Sequence, residues 1–112
     1  MPVLNIKTNK PIEDPAAVLG TLSQQVAAML GKPENYVMVD LQHNPDMLFA
    51  GSNEPLAYLE LKSIGLPENR CAEFSATLCG QLESLLGIRP DRIYIEFSNA
   101  GRHLFGWDSR TF

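Results

Sequence analysis

Two stretches of the chain, KPENYVMVDL at residues 32–41 and RPDRIYIEF at residues 89–97, repeat one pattern that decides the fold. Each runs from a basic residue through proline and an acidic residue into alternating apolar positions, which are typical of a strand. Each also follows a leucine-rich helical segment that ends in a glycine, Gly31 in the first copy and Gly87 in the second. The repetition indicates two copies of one structural unit.

An extended segment precedes each of the two helices, VLNIKT at residues 3–8 and LAYLELKSIG at residues 56–65. The order strand–helix–strand therefore occurs twice, and no linker or low-complexity segment separates the copies. We expect an α+β fold that forms a single domain over residues 1–112, with the two units as a pseudo-repeat.

Both predicted helices have recognisable ends. Asp14 is a candidate N-cap, and Pro15 follows at the first helical position, where its missing N–H costs no hydrogen bond. The second helix is expected to begin near Asn69. Apolar residues at helical spacing are expected to face the core: Val18, Leu22, Val26 and Met29 in the first helix, and Phe74, Leu78, Leu82 and Leu85 in the second.

The predicted strands have one apolar face, which two amphipathic helices can cover: Leu4, Ile6, Val37, Val39, Leu41, Leu59, Leu61, Ile93, Ile95 and Phe97. The opposite face mixes polar with apolar side chains: Asn5, Lys7, Asp40, Glu60, Lys62 and Glu96 with Val3, Met38, Leu56, Tyr58 and Tyr94. A face this apolar favours contact with other subunits over exposure to water. We expect an oligomer, whose order the pattern does not fix.

The composition excludes several classes of protein. A formal net charge of −4, without a run of Lys or Arg, argues against binding to nucleic acid. No apolar run approaches the length that crosses a membrane, and the first residues lack the pattern of a secretory signal. Cys71 and Cys79 suit neither a zinc site nor a redox pair, and His43 and His103 have no metal-ligand spacing. A cytoplasmic setting without membrane contact, metal or cofactor is expected.

Pro2 is the first candidate for chemistry. Removal of the initiator methionine would leave its nitrogen as a secondary amine, which can take up a proton, whereas a proline nitrogen inside a chain cannot. A general base works best with a pKa near the operating pH, and burial or a nearby cation lowers the pKa of an amine. The alternative is a rigid start to an edge strand, and Met-Pro alone does not decide between the two.

Several short motifs occur in order along the chain: Met-Pro opening a strand, TN at Thr8, GKP at Gly31, GSNEP at Gly51, SIG at Ser63, PDRIYI at Pro90 and GWxxxTF from Gly106. Together they resemble the macrophage migration inhibitory factor family over essentially the whole chain. The resemblance implies a tautomerase-like βαββαβ protomer with two helices on one face of a four-stranded sheet. It also implies a homotrimer whose sheets form a central barrel, with three active sites at the subunit junctions.

The resemblance also implies roles for individual residues. Pro2 would be the base, Lys32 a nearby positive charge, and Ile64, after Ser63, a backbone N–H donor to substrate oxygen. Tyr94 would come from the neighbouring subunit, and an aromatic rim would consist of Tyr36, Phe105, Trp107 and Phe112. From the residues alone, a solvated lysine at a helix end is the preferred interpretation of Lys32, and the late aromatic residues equally suit a staple for the terminal segment.

Three positions depart from the family pattern. Leu56 and Leu59 stand where migration factors often carry a Cys-X-X-Cys, so thiol oxidoreductase activity is not expected. Glu96 replaces an Asn of the mammalian factor, and a carboxylate there would weaken the binding of anions unless it is paired. Lys62 replaces a His and would offset Glu96 if the two side chains met.

The resulting expectation is a cofactor-independent keto–enol tautomerase that acts on phenylpyruvate- or dopachrome-like compounds. The alternative is a cytokine-like binding protein with a vestigial pocket, because the family is known for signalling as well as for catalysis.

Overall fold

The two strand–helix–strand units form as the sequence predicts. A computed structural model describes residues 1–112, and its main elements are β1 (Val3–Thr8), α1 (Pro15–Leu30), β2 (Met38–His43), β3 (Ala57–Ile64), α2 (Cys71–Leu86) and β4 (Ile93–Ala100). Single 3-10 turns precede β2, α2 and β4. A small hairpin, β5 (Gly106–Trp107) with β6 (Arg110–Thr111), follows β4 and was not expected from the sequence.

The four long strands form one sheet in the order β2-β1-β3-β4. Within each unit the two strands are parallel, as a connection through a helix requires, and β1 and β3 join the units in antiparallel pairing. The start of β1 therefore lies beside the end of β3, with Val3 opposite Lys62. This register brings distant parts of the chain to one end of the sheet.

Local chemistry sets the ends of both helices. The Asp14 carboxylate accepts a hydrogen bond from the Ala17 N–H at 3.2 Å, which confirms the predicted N-cap of α1. Gly31 and Gly87 adopt φ values of 63° and 68°, the left-handed conformation that ends helices and that glycine adopts without strain. A 3-10 turn moves the start of α2 slightly past the expected Asn69.

Both helices cover the predicted apolar face of the sheet, and the core lies between the helices and the sheet. Its fully buried members include Leu4, Ile6, Leu22, Val26, Leu59, Leu61, Phe74, Leu78 and Leu82. Leu86 rather than the expected Leu85 is the last buried residue of α2, because it continues the four-residue spacing from Leu78 and Leu82. Leu85 is only partly buried.

Leu56 was expected on the open face of the sheet but is 3% exposed. It precedes β3, so the alternation of the strand does not govern it. Its carbonyl accepts a hydrogen bond from the buried Thr8 hydroxyl at 2.7 Å, and its N–H donates to the Asn9 side chain at 2.9 Å. The TN motif at residues 8–9 thus anchors the connection that leads into β3.

The open face of the sheet retains large apolar side chains at its surface. Met38 is 63% exposed and Tyr94 is 65% exposed. Across the strands, Asp40, Asn5, Glu60 and Glu96 lie in one transverse row. Neither long helix combines the length and apolarity needed to cross a membrane.

Candidate active site

A cleft of about 230 Å³ opens at the end of the sheet where β1 starts and β3 and β4 finish. Its lining comes from five separate parts of the chain: Met1, Lys32, Pro33, Tyr36, Ile64, Arg102 and Phe112. The parallel pairing of β1 with β2 brings the end of α1 here, because the segment after α1 leads into the start of β2. The fold itself therefore assembles this cleft.

Pro2 and Lys32 are each held by the backbone around them. Pro2 is fully buried, and its carbonyl accepts a hydrogen bond from the Met38 N–H at 3.0 Å. Lys32 follows the left-handed Gly31, and its N–H donates to the Ala27 carbonyl at 3.0 Å. The first residues of the chain and the residue after α1 consequently have fixed positions on the two sides of the cleft.

The ionisable side chains that line the cleft, Lys32 and Arg102, are both positive. The α-amine of Met1 has a pKa below its ordinary value because of burial, the charge of Lys32 and the charge of Arg102, in decreasing order of effect. No acidic side chain lines the cleft. The two ion pairs of the chain, Arg70–Glu73 and Arg89–Asp91, involve neither cation. The cleft therefore favours a neutral amine and attracts an anion.

Aromatic side chains form one wall of the cleft. The Tyr36 ring meets Trp107 edge-on at 5.5 Å and Phe112 at 6.0 Å, and Trp107 stacks on Phe112 at 5.5 Å between ring centroids. Phe105 adds an edge contact to Phe112 at 6.3 Å. The four aromatic residues named from the sequence thus form one cluster beside the cleft, at offset and edge geometries that aromatic rings prefer.

Three of the sequence-predicted residues, Lys62, Ser63 and Phe105, do not line the cleft. Lys62 and Phe105 line the neighbouring depression, together with Ser98 and Asn99. The Ser63 side chain is fully buried, and its hydroxyl donates to the Ile64 carbonyl at 3.4 Å. Ser63 alternates with Leu59 and Leu61 on the helix-covered face, so its hydroxyl does not reach the cleft.

Tyr94 and Glu96 lie elsewhere in the protomer. Tyr94 pairs with Tyr58, which is six residues before Ile64 on β3. At ~3.3 Å per strand residue, Tyr94 lies roughly 20 Å along the sheet from the cleft of its own protomer. The Tyr58 hydroxyl donates to the Glu96 carboxylate at 2.7 Å, and this bond raises the pKa of Tyr58 to about 12. Glu96 is thus paired with Tyr58 and not with Lys62.

Arg102 is the charged lining residue of the cleft that sequence reasoning missed. It begins the 3-10 turn that follows β4. Because β3 and β4 are parallel and Ile64 pairs with Ala100, the residues just after Ala100 necessarily lie near the end of β3. The predicted ends of the parallel strands therefore carried a signal for Arg102, although no motif marks it.

The βαββαβ order of elements is the fold of the tautomerase superfamily, and here the first residue of the protomer lies in a cationic cleft. The chain belongs to the macrophage migration inhibitory factor family, since the family model described as "Macrophage migration inhibitory factor (MIF)" matches residues 1–112. The factor of Meriones unguiculatus is 39% identical, with 100% of this chain and 99% of that protein covered.

Two solved structures have the same fold over nearly the whole chain. The crystal structure of a homologue from Prochlorococcus marinus matches with a TM-score of 0.93 and 45% identity, over 98% of both chains. The factor from Trichinella spiralis matches with a TM-score of 0.93 and 35% identity, over 98% of this chain and 99% of that one. These matches confirm the predicted fold and family.

Proposed function

We propose that the protein is a cofactor-independent keto–enol tautomerase that acts on phenylpyruvate- or dopachrome-like compounds, with the Pro2 amine as general base after removal of Met1. The observation that carries the proposal is the position of the first amine of the chain. It lies in a cleft with Lys32 and Arg102, and its pKa is lowered. Membership of the tautomerase superfamily supports the same chemistry.

Removal of Met1 would have two effects on the cleft. It would turn the Pro2 nitrogen from an amide into a basic secondary amine. It would also empty space, because Met1 is itself one of the lining residues. The buried Pro2 ring and its hydrogen bond to Met38 would keep the new amine at the cleft, beside the same two cations.

The proton transfer needs only these groups. In the enol-to-keto direction, the Pro2 amine takes the hydroxyl proton and the resulting ammonium delivers a proton to carbon; the reverse direction runs through the same positions. Lys32 would stabilise the charge that develops on the enolate oxygen, and the Ile64 N–H would donate to it. The aromatic cluster would receive a planar ring. A lowered pKa would increase the fraction of the base that is unprotonated at a given pH.

The homotrimer is part of the proposal. Tyr94 is far from the cleft of its own protomer, and it is exposed on the open face of the sheet beside Leu48, which is 71% exposed. Closure of three sheets into a barrel would cover this face and would carry Tyr94 to the cleft of a neighbour. Each active site would then lie at a subunit junction, as the resemblance implies.

The experiment compares phenylpyruvate tautomerisation by the wild type, Pro2→Gly and the control Pro45→Gly, with intact mass establishing that Met1 is absent. We expect Pro2→Gly to lose about 10²-fold or more in kcat/KM, the range of a general base, and Pro45→Gly to match the wild type. A preparation that retains Met1 should be inactive until an aminopeptidase removes it. Equal rates for the wild type and Pro2→Gly would overturn the proposed base.

The relatives are named for migration inhibition, so a cytokine-like binding role is the second candidate. That role does not need the amine. Cellular activity that survives Pro2→Gly, together with an absence of tautomerase activity in the wild type, would favour it over the enzyme.

A further inference from the structure

We propose that Arg102 is a substrate-binding residue that selects substrates carrying a carboxylate next to the reacting carbonyl. The proposal rests on the proposed tautomerase function and names the substrate class of the same cleft. The Lys32 ammonium would bind the oxygen of the reacting carbonyl, and the Arg102 guanidinium would bind the carboxylate.

The position of Arg102 is the first support. Its side chain lines the cleft with Lys32 and Ile64, and its charge reaches the first amine of the chain. It stands at the end of β4, directly after Gly101, where the paired ends of β3 and β4 meet the cleft. A ligand that contacts Lys32 in this small volume is therefore close to Arg102 as well.

The guanidinium is anchored at one nitrogen. Nε of Arg102 donates to a main-chain oxygen of Phe112 at 3.2 Å, while the Arg102 carbonyl accepts from the Phe105 N–H at 3.3 Å. A third bond, from the Phe112 N–H to the Phe105 carbonyl at 3.1 Å, closes the network. The anchoring leaves Nη1 and Nη2 without an acceptor in the chain, in a planar arrangement that matches the oxygens of a carboxylate.

The charge balance also calls for an anion. The chain carries a net charge of −4, yet the side chains that line the cleft include two cations and no carboxylate. Neither Lys32 nor Arg102 forms an ion pair with an acidic side chain. Two like charges that share a small cleft repel each other, and an anionic ligand relieves that repulsion while it gains charge-assisted hydrogen bonds.

The rest of the cleft limits what the anion is attached to. The Tyr36 and Phe112 rings line the cleft, Trp107 packs against both, and this aromatic surface suits a flat, apolar group. An aryl-substituted 2-oxo acid, or its enol, offers all three features at once: a ring for the wall, an oxygen for Lys32 and a carboxylate for Arg102. The methyl ester of the same compound lacks only the last feature.

The test compares phenylpyruvate with its methyl ester in the wild type, Arg102→Gln and the control Arg110→Gln. Arg110 is a matched control, since it lies over Trp107 at 4.9 Å but does not line the cleft. We expect Arg102→Gln to raise KM for the acid by about 10- to 100-fold, the size of a charge-assisted contact, with little change for the ester. Arg102→Lys should restore part of the loss, because it keeps the charge without the planar fork.

A merely structural role for Arg102 would weaken acid and ester equally, and that outcome overturns the proposal. A second measurement separates it from the proposed catalysis. Calorimetry with 3-phenylpropionate and with its amide needs no turnover. We expect Arg102→Gln to weaken only the carboxylate, by a similar factor, even in the Pro2→Gly background. Equal affinities of the wild type for the carboxylate and the amide would also refute the role of Arg102, whatever the fate of the base.

Discussion

The rings of Phe49 and Tyr94 pack together with their centroids 4.7 Å apart. This contact joins the loop before β3 to the start of β4. Arg92 binds the same loop through hydrogen bonds to its backbone. Its guanidinium donates to the carbonyls of Phe49, Ser52 and Glu54 at 2.7 to 3.0 Å, and it lies 5.1 Å from the Phe49 ring centroid. The buried Arg92 side chain therefore fixes the loop whose Phe49 ring packs against Tyr94.

Arg92→Ala is expected to destabilise the protein by about 2–4 kcal/mol, because it leaves several backbone carbonyls without a donor and opens a cavity at a site that is 8% exposed. Urea unfolding measures the loss. Arg89→Ala is the matched control, since Arg89 pairs with Asp91 on the surface and should change stability little. Similar midpoints for both variants would show that the carbonyl contacts of Arg92 do not stabilise the loop.

Tyr94 is expected to act in the site of a neighbouring subunit. Tyr94→Ala and Pro2→Gly should each lower activity as pure proteins. When the two are unfolded, mixed and refolded, some sites combine an intact Pro2 from one variant with an intact Tyr94 from the other, so activity should reappear. Size-exclusion chromatography with light scattering tests whether each variant and the mixture form the proposed trimer. A mixture as inactive as its parents would place Tyr94 outside the neighbouring site.

The pH dependence of kcat/KM reports the pKa of the free base. Burial and the charges of Lys32 and Arg102 lower the pKa of the Met1 amine. Removal of Met1 would leave the Pro2 amine beside the same two cations, so activity should persist to a lower pH than an ordinary α-amine would allow. Lys32→Met removes one of these charges, so the pKa should rise and the acid limb of the profile should move to higher pH. Lys10→Met is the control, since Lys10 lies on the helix side of the sheet beside Thr21 of α1 and Leu85 of α2, and it should leave the limb in place. A limb that does not move in Lys32→Met would contradict the electrostatic role.

The features that the sequence predicted are those with local causes. Asp14 and Gly31 end α1 through contacts within a few residues, and the alternation of Leu59 with Leu61 fixes a face of β3. That same alternation places Ser63 inward, although the SIG motif suggested a site residue. The position of Arg102 at the cleft depends on where β3 and β4 end together. This is a property of long-range pairing, which a local pattern of residues does not predict.

The C-terminal hairpin escaped prediction because its turn lacks the usual residues. Asp108 and Ser109 connect β5 to β6 as a two-residue loop, and both have positive φ, 52° and 63°, as in a type I′ turn. Asn-Gly is the favoured pair for this turn, since a side chain at positive φ is strained. The hairpin nevertheless forms and holds Trp107 against the aromatic cluster of the cleft.

Ser109→Gly is therefore expected to stabilise the hairpin by up to about 1 kcal/mol, and Ser109→Val to destabilise it, because a β-branched residue tolerates positive φ poorly. Hydrogen exchange of the Phe112 N–H, which is bonded to the Phe105 carbonyl, should slow in the first variant and quicken in the second. Ser23→Gly makes the same chemical change inside α1, where glycine costs backbone entropy, and should lower global stability. Opposite signs for the two glycine variants would show that backbone conformation, not loss of the hydroxyl, controls the effect. If Ser109→Gly also destabilises, the serine side chain contributes more to the hairpin than the strain at its φ costs.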